Sequence, residues 1–173
     1  MAPSDENQPP VVVVMGVSGV GKTTVARLLA DRLDLPYAEA DDFHPAANIA
    51  KMSEGIPLDD HDREPWLRTL GAWLGARAAA GTGGVVTCSA LKRRYRDILR
   101  AACPDAFFLH LSGDRAVIED RLAHRTGHFM PPSLLDSQYA TLEPLQPDER
   151  GLVLDVGPDA HQLVDTAVRA IRP

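Results

Sequence analysis

Five apolar residues, Val11 to Met15, run straight into Gly16-Val17-Ser18-Gly19-Val20-Gly21-Lys22-Thr23, and this junction restricts the fold more than any other part of the chain. A short β-branched run bounded by glycines reads as a strand buried on both faces, the usual state of a parallel sheet covered by helices. The eight residues after it are a complete G-x-x-x-x-G-K-T sequence. Its glycines let the backbone wrap a phosphate with N–H groups pointing inward, and the following helix N-terminus adds a favourable dipole. Lys22 is then expected to reach the β- and γ-phosphates and the Thr23 hydroxyl to ligate Mg²⁺. Gly16, Val17, Ser18, Gly19, Val20, Gly21, Lys22, Thr23 and Thr24 form the expected nucleotide-binding set. Val25, Leu28, Leu29 and Leu33 continue at helical spacing until Pro36. The chain is therefore expected to bind a nucleoside triphosphate.

The remaining apolar runs repeat the strand–helix alternation. Tyr37 to Ala40, Val85 to Thr87, Phe107 to Leu111 and Leu152 to Val156 read as further strands. Trp66, Leu67, Leu70, Trp73 and Leu74 mark an amphipathic helix with Pro65 near its first turn, while 41–64 reads as polar and irregular. Val117, Ile118 and Leu122 share a helix face that Gly127, Pro131 and Pro132 interrupt, and Leu163, Val164, Ala167, Val168 and Ile171 give a closing helix. The expected fold is α/β: a three-layer P-loop sandwich with about five parallel strands, helices on both faces and a lid segment. At 173 residues the chain suits one domain, here 11–173 after a polar, Pro-rich flexible leader at 1–10. A net charge of −6 argues against nucleic acid as a partner, since backbone phosphates require a basic surface. No apolar stretch approaches the roughly 20 residues of a membrane helix. Cys88 and Cys103 are too few for a disulfide framework, so reduced thiols and a cytoplasmic location are expected.

A phosphate loop alone does not name a reaction. Beyond the five-stranded core only two sizeable inserts remain, 41–64 and about 125–150, which match the two additions a small-molecule kinase needs: an acceptor site and a water-excluding lid. Glu39-Ala40-Asp41-Asp42 ends the second strand, where open α/β sheets bind ligands, and a carboxylate there can orient an acceptor hydroxyl and take its proton.

His44-Pro45, Asn48, Lys51-Met52, Gly55, Pro57-Leu58, Asp60, Arg63 and Pro65-Trp66-Leu67 continue that segment. Cys88-Ser89-Ala90-Leu91-Lys92-Arg93-Arg94-Tyr95-Arg96-Asp97 and Gly127-His128-Phe129 follow. On these strings the sequence resembles the gluconokinases, a branch of the shikimate-kinase-like P-loop sugar kinases, over about Val11 to Leu145. The resemblance implies ATP- and Mg²⁺-dependent phosphorylation of D-gluconate at its 6-hydroxyl. It makes Asp41 the candidate general base, and it makes His44, Arg63, Ser89, Lys92, His128 and Gln138, with Asp41, the candidates for holding the substrate. Glu39 stands where related kinases often carry Asp, and joins Thr23 as a candidate metal ligand.

Arg121 and Arg125 share one helix face leading into the Gly127 break, which suits lid arginines that neutralise phosphoryl charge. Lys22 and Arg125 complete the expected catalytic set with Asp41. Lys92, Arg93, Arg94, Arg96 and Arg100 form a basic cluster from which Lys92 or Arg96 could meet a sugar acid. His124 and His128 lack the Glu of a zinc motif. Trp66 and Trp73 are expected as core anchors, Cys88 as a small buried residue, His61 and His110 as structural, and 156–159 as the adenine loop. Pairing of two copies through an exposed helix (a homodimer) stays open, with no helix singled out. So do a kinase for another small acid or polyol, and a nucleotide-dependent binding module.

Overall fold

A computed structural model describes residues 8–124 and 132–171. Strands β1 (Val11–Met15), β2 (Tyr37–Glu39), β3 (Gly84–Thr87), β4 (Phe107–Ser112) and β5 (Gly151–Asp155) form one sheet in the order β2-β3-β1-β4-β5. Every pairing is parallel, and β1 is central, with Val13 opposite Val86 on one side and Phe108 on the other. The helices are α1 (Lys22–Leu33), α2 (Ala46–Ser53), α3 (Asp60–Ala79), α4 (Arg93–Ala102), α5 (Arg115–Ala123), α6 (Pro132–Thr141) and α7 (Ala160–Ile171).

The unbroken apolar run of β1 follows from its two covered faces. Val12 and Val14 enter a core shared with Val25, Leu29, Leu163 and Ala167, from α1 and α7. Val11, Val13 and Met15 point the other way, into a core with Trp66, Leu70, Leu74 and Leu99, from α3 and α4. Each fully buried valine stabilises the fold by about 1.5–3 kcal/mol. The edge strand β5 is different: Val153 is half exposed and shares an exposed face with Gly151 and Asp155, while Leu152 and Leu154 on the other face pack against the core.

The segment expected to be irregular is mostly helical. A 3-10 turn spans Ala40–Phe43, α2 follows, and α3 starts at Asp60 rather than beside Pro65. Asp59 caps α3 by accepting from the Asp62 N–H at 2.7 Å, while Asp62 accepts from the Asp59 N–H at 3.1 Å. This is a capping box with Asp in place of Glu or Gln, so two orphan donors are met reciprocally. Pro65 therefore lies inside α3, where its ring nitrogen offers no hydrogen bond to the preceding turn. The last strand likewise ends one residue earlier than expected, at Asp155.

Two glycines of the phosphate loop have backbone reasons to be glycine. Gly16 has φ +145°, and a Cβ there would sit 2.6 Å from the Leu111 carbonyl oxygen. Gly21 has φ +92° and is the N-cap of α1. Gly16→Ala is expected to lower the unfolding free energy by about 2 kcal/mol or more, measured by urea denaturation, because the added methyl meets backbone that cannot yield.

Candidate active site

The carboxyl ends of β1, β2 and β3 open onto a cleft of about 430 Å³. One wall is the phosphate loop with the start of α1: Ser18, Gly19, Gly21, Lys22, Thr23 and Thr24. Facing it are Glu39, Ala40 and Asp41 from the end of β2, Thr87, Cys88 and Ser89 after β3, and Trp66 from α3. Arg121 and Gln138 close it from α5 and α6. The cleft lies where neighbouring strands leave β1 in opposite directions, the place at which open parallel sheets take ligands.

The loop is held from several sides. Lys22 Nζ donates to the Gly16 and Val17 carbonyls at 2.9 and 3.1 Å. The Gly16 N–H donates to the Ser89 carbonyl at 3.3 Å, which ties the loop to the segment after β3. Arg121 donates to the Val20 carbonyl at 3.4 Å and the Val156 carbonyl at 3.0 Å, so its guanidinium lies against the loop without any change in α5. The Ser18 N–H donates to Gln138 Oε1 at 2.7 Å, and Gln138 Nε2 returns a bond to Ser18 Oγ at 3.1 Å. An amide oxygen thus already satisfies one N–H of a loop built to receive phosphate oxygens.

Glu39 is the centre of a hydroxyl cluster. It accepts from Thr23 Oγ1 at 3.1 Å, from Thr87 Oγ1 at 2.8 Å and from the Tyr37 hydroxyl. Burial pushes its carboxyl up, but the bonds from Tyr37, Thr87 and Thr23 and the charge of Arg27 bring it below the ordinary value. The result is an ionised carboxylate beside the Thr23 hydroxyl. Among the described residues no group of three His, Cys, Asp or Glu side chains could hold a metal by itself. The Thr23 hydroxyl and the Glu39 carboxylate beside it are hard oxygen donors, the kind that Mg²⁺ takes in small number alongside water and phosphate oxygens. Tyr37 and Thr87 are partners that sequence reading missed; only the pairing of β2 with β3 brings Thr87 beside Glu39.

Asp41 sits on the 3-10 turn with its side chain largely exposed at the cleft, across from the phosphate loop. Ser89 also lines the cleft, whereas His44, Arg63 and Lys92 stand outside its lining. His44 is buried against Trp66, with ring centroids 4.2 Å apart and 15° between the planes. Arg63 donates to the Tyr95 hydroxyl at 2.9 Å. Lys92 Nζ lies 3.2 Å from Asp60, which also pairs with Arg94 at 3.1 Å and accepts from Tyr95. Two cations thus share one carboxylate, and Arg63 joins them through the Tyr95 hydroxyl. Arg125 and His128 lie outside the described residues.

Two sequence-based expectations change here. Arg96 does not meet a ligand: it is fully buried, paired with Glu149 at 2.7 Å, and donates to the Ala90 carbonyl at 2.9 Å. Trp66 is a core residue, as expected, but it also forms part of the cleft wall, and its indole N–H donates to the Ala40 carbonyl at 2.7 Å. Cys88 agrees with its expected inert role, since burial pushes its thiol up to about 12.

A parallel five-stranded sheet with a phosphate loop after its central strand, and a carboxylate facing that loop across one cleft, defines a P-loop kinase fold. Residues 11–145 match the family described as an AAA domain. A gluconokinase of Gluconobacter oxydans (strain 621H) is 53% identical over 142 residues, 82% of this chain and 80% of that protein. The crystal structure of a sugar kinase from Janibacter sp. HTCC2649 aligns with a TM-score of 0.86 at 57% identity, covering 92% of each chain. That of a gluconokinase from Sinorhizobium meliloti 1021 aligns with a TM-score of 0.82 at 46% identity, over 95% of this chain and 92% of that one. The chain belongs to the gluconokinase family.

Proposed function

We propose that this protein transfers the γ-phosphoryl group of ATP to the 6-hydroxyl of D-gluconate, giving 6-phospho-D-gluconate and ADP, with Mg²⁺ as cofactor. The observation that carries this reading is the cleft lined by the phosphate loop together with Asp41 and Ser89, in a chain 53% identical to a gluconokinase. The loop N–H groups and Lys22 hold the phosphates. Thr23 and Glu39 hold the metal, which when bound screens the charge of the phosphate oxygens. Asp41 orients the acceptor hydroxyl and accepts its proton as the new P–O bond forms, while Arg121 and Arg125 neutralise charge on the transferring group.

The segment 41–64 is read as the acceptor side and about 125–150 as lid and following segment. Arg63 and Lys92 belong to a group with more cations than carboxylates, which favours an anionic acid over a neutral sugar. Ser89, His128 and Gln138 are read as further substrate contacts. Among the described residues no helix is long and apolar enough to cross a membrane. The acidic net charge favours a small-molecule partner over nucleic acid, and we read the enzyme as cytoplasmic, with a homodimer as the open assembly.

The test is ADP release, coupled to a spectroscopic readout, with Mg·ATP and a panel of gluconate, glucose, shikimate, glycerate and adenylyl sulfate. Stimulation by gluconate alone, far above the bare ATPase rate, is the expected result. Silence across the panel with ATP still bound would instead make the protein a nucleotide-dependent binding module.

A further inference from the structure

His44 is not itself among the residues lining the cleft, but it packs against two that are, Asp41 and Trp66, and the group around it constrains its ring. Asn48, on α2 and only 3% exposed, donates through Nδ2 to the Asp62 carbonyl at 2.9 Å. A backbone carbonyl can only accept, so this bond fixes which end of the Asn48 amide is the NH₂. The same Nδ2 lies 3.2 Å from His44 Nδ1. Its second hydrogen therefore points at Nδ1, and Nδ1 must be the bare, accepting nitrogen.

The proton of the neutral ring is then on Nε2, the nitrogen that faces Asp41 Oδ1 at 4.0 Å. The ring has little freedom to turn away. One face is stacked on Trp66, whose own N–H clamps the Ala40 carbonyl just before Asp41. Its backbone N–H donates to the Asp41 carbonyl at 3.4 Å. Two charged groups face the imidazole, Asp41 from the 3-10 turn and Arg63 from α3. Burial lowers its pKa first, Asp41 opposes this and Arg63 reinforces it, so the ring is neutral with one N–H.

We propose that His44 is a positioning residue for Asp41, its tautomer set by Asn48 so that Nε2–H is aimed at the Asp41 carboxylate. The N–H favours one orientation of an otherwise exposed side chain and leaves the second carboxylate oxygen for the acceptor hydroxyl. This rests on Asp41 being the acceptor-side carboxylate.

The experiment uses the full chain and combines a spectrum with two substitutions. A two-bond ¹H–¹⁵N correlation of His44 is expected to show a protonated Nε2 and a bare Nδ1 in the native protein, and mixed tautomers in Asn48→Leu. His44→Gln, whose amide N–H reaches the Nε2 position, is expected to keep kcat within about threefold. His44→Phe keeps the stack on Trp66 without an N–H, and is expected to lose about 10- to 100-fold in kcat with the KM for ATP unchanged. A proton on Nδ1 in the native protein, or His44→Phe as active as the native enzyme, overturns the proposal. Should His44→Phe not fold, the spectrum decides alone. Asp41→Asn keeps the two readings apart. If it abolishes turnover while His44→Phe does not, only the role of His44 falls; if it turns over normally, the role of Asp41 falls.

Discussion

Asp41→Asn is expected to lower kcat for gluconate phosphorylation by about 10²- to 10⁴-fold while ATP binding stays intact. The substitution keeps volume and polarity but removes the negative charge and the site that accepts the hydroxyl proton. Its effect should be confined to chemistry, because the backbone around Asp41 is held independently of its carboxylate. Trp66 Nε1–H donates to Ala40 at 2.7 Å, and the His44 N–H donates to the Asp41 carbonyl at 3.4 Å. The nucleotide side is separate, built from the phosphate loop with Lys22 and the Thr23–Glu39 pair. Steady-state kinetics together with an ATP titration by calorimetry separate the two. Near-native turnover with normal ATP affinity would remove Asp41 from the role of base.

The largest expected loss of stability lies away from the cleft. Arg96→Met is expected to destabilise the fold by about 3–5 kcal/mol, because it leaves Glu149 buried without its main partner. Arg96 donates to Glu149 Oε1 at 2.7 Å and Oε2 at 3.0 Å, and to the carbonyls of Ala90 at 2.9 Å and Pro144 at 3.3 Å. One guanidinium thereby joins α4 to the segment after β3 and to the segment before β5. Lysine cannot replace it, since a single ammonium cannot reach all these acceptors in one plane. Chemical denaturation of Arg96→Met, Glu149→Gln and the double variant measures the coupling; a double variant no worse than either single is expected. A loss under about 1 kcal/mol in Arg96→Met would show that the pair contributes little.

The same pair sets an acid limit. Burial pushes the Glu149 carboxyl up, but the bonds from Arg96, the Gln146 N–H and Arg100 outweigh it and bring the value from 4.5 to about 2. A depressed carboxylate contributes stability that is complete above its unfolded value and is lost as pH falls. The loss should therefore run between about pH 4.5 and 2, and should be absent in Glu149→Gln, as read from melting temperature against pH.

Arg96 also shows why part of the site was not legible in the sequence. In Lys92-Arg93-Arg94-Tyr95-Arg96 every cation looks alike, and the spacing leaves open which of them faces a ligand. Only the packing of α4 against the sheet separates Arg96, which is fully buried, from Arg94, which is exposed. The helices of 41–64 are not legible in the sequence for a related reason. They have short apolar faces and are held by Asp59, Asp62 and Lys51, so hydrophobic periodicity carried little signal there. The Asp59/Asp62 capping box is the one local signal in the sequence that marks the start of α3. Trp66 was assigned one role because helical spacing explains it fully; its second edge, at the cleft, depends on where the 3-10 turn lies.

What the sequence determined by itself was the central strand, the phosphate loop, the helix after it and the parallel α/β class. Each follows from local rules: a doubly covered strand must be apolar throughout, a loop that wraps phosphate needs glycine at φ values other residues avoid, and parallel strands require crossover helices. What only the tertiary structure decided was which polar groups meet. Glu39 finds Thr23 and Thr87 across β1 and β3, His44 finds Trp66 on α3, and Gln138 finds Ser18 from a helix 120 residues later. Such contacts join residues distant in the chain, and the hydrogen bonds that select them exist only after the sheet has brought the strand ends to one edge.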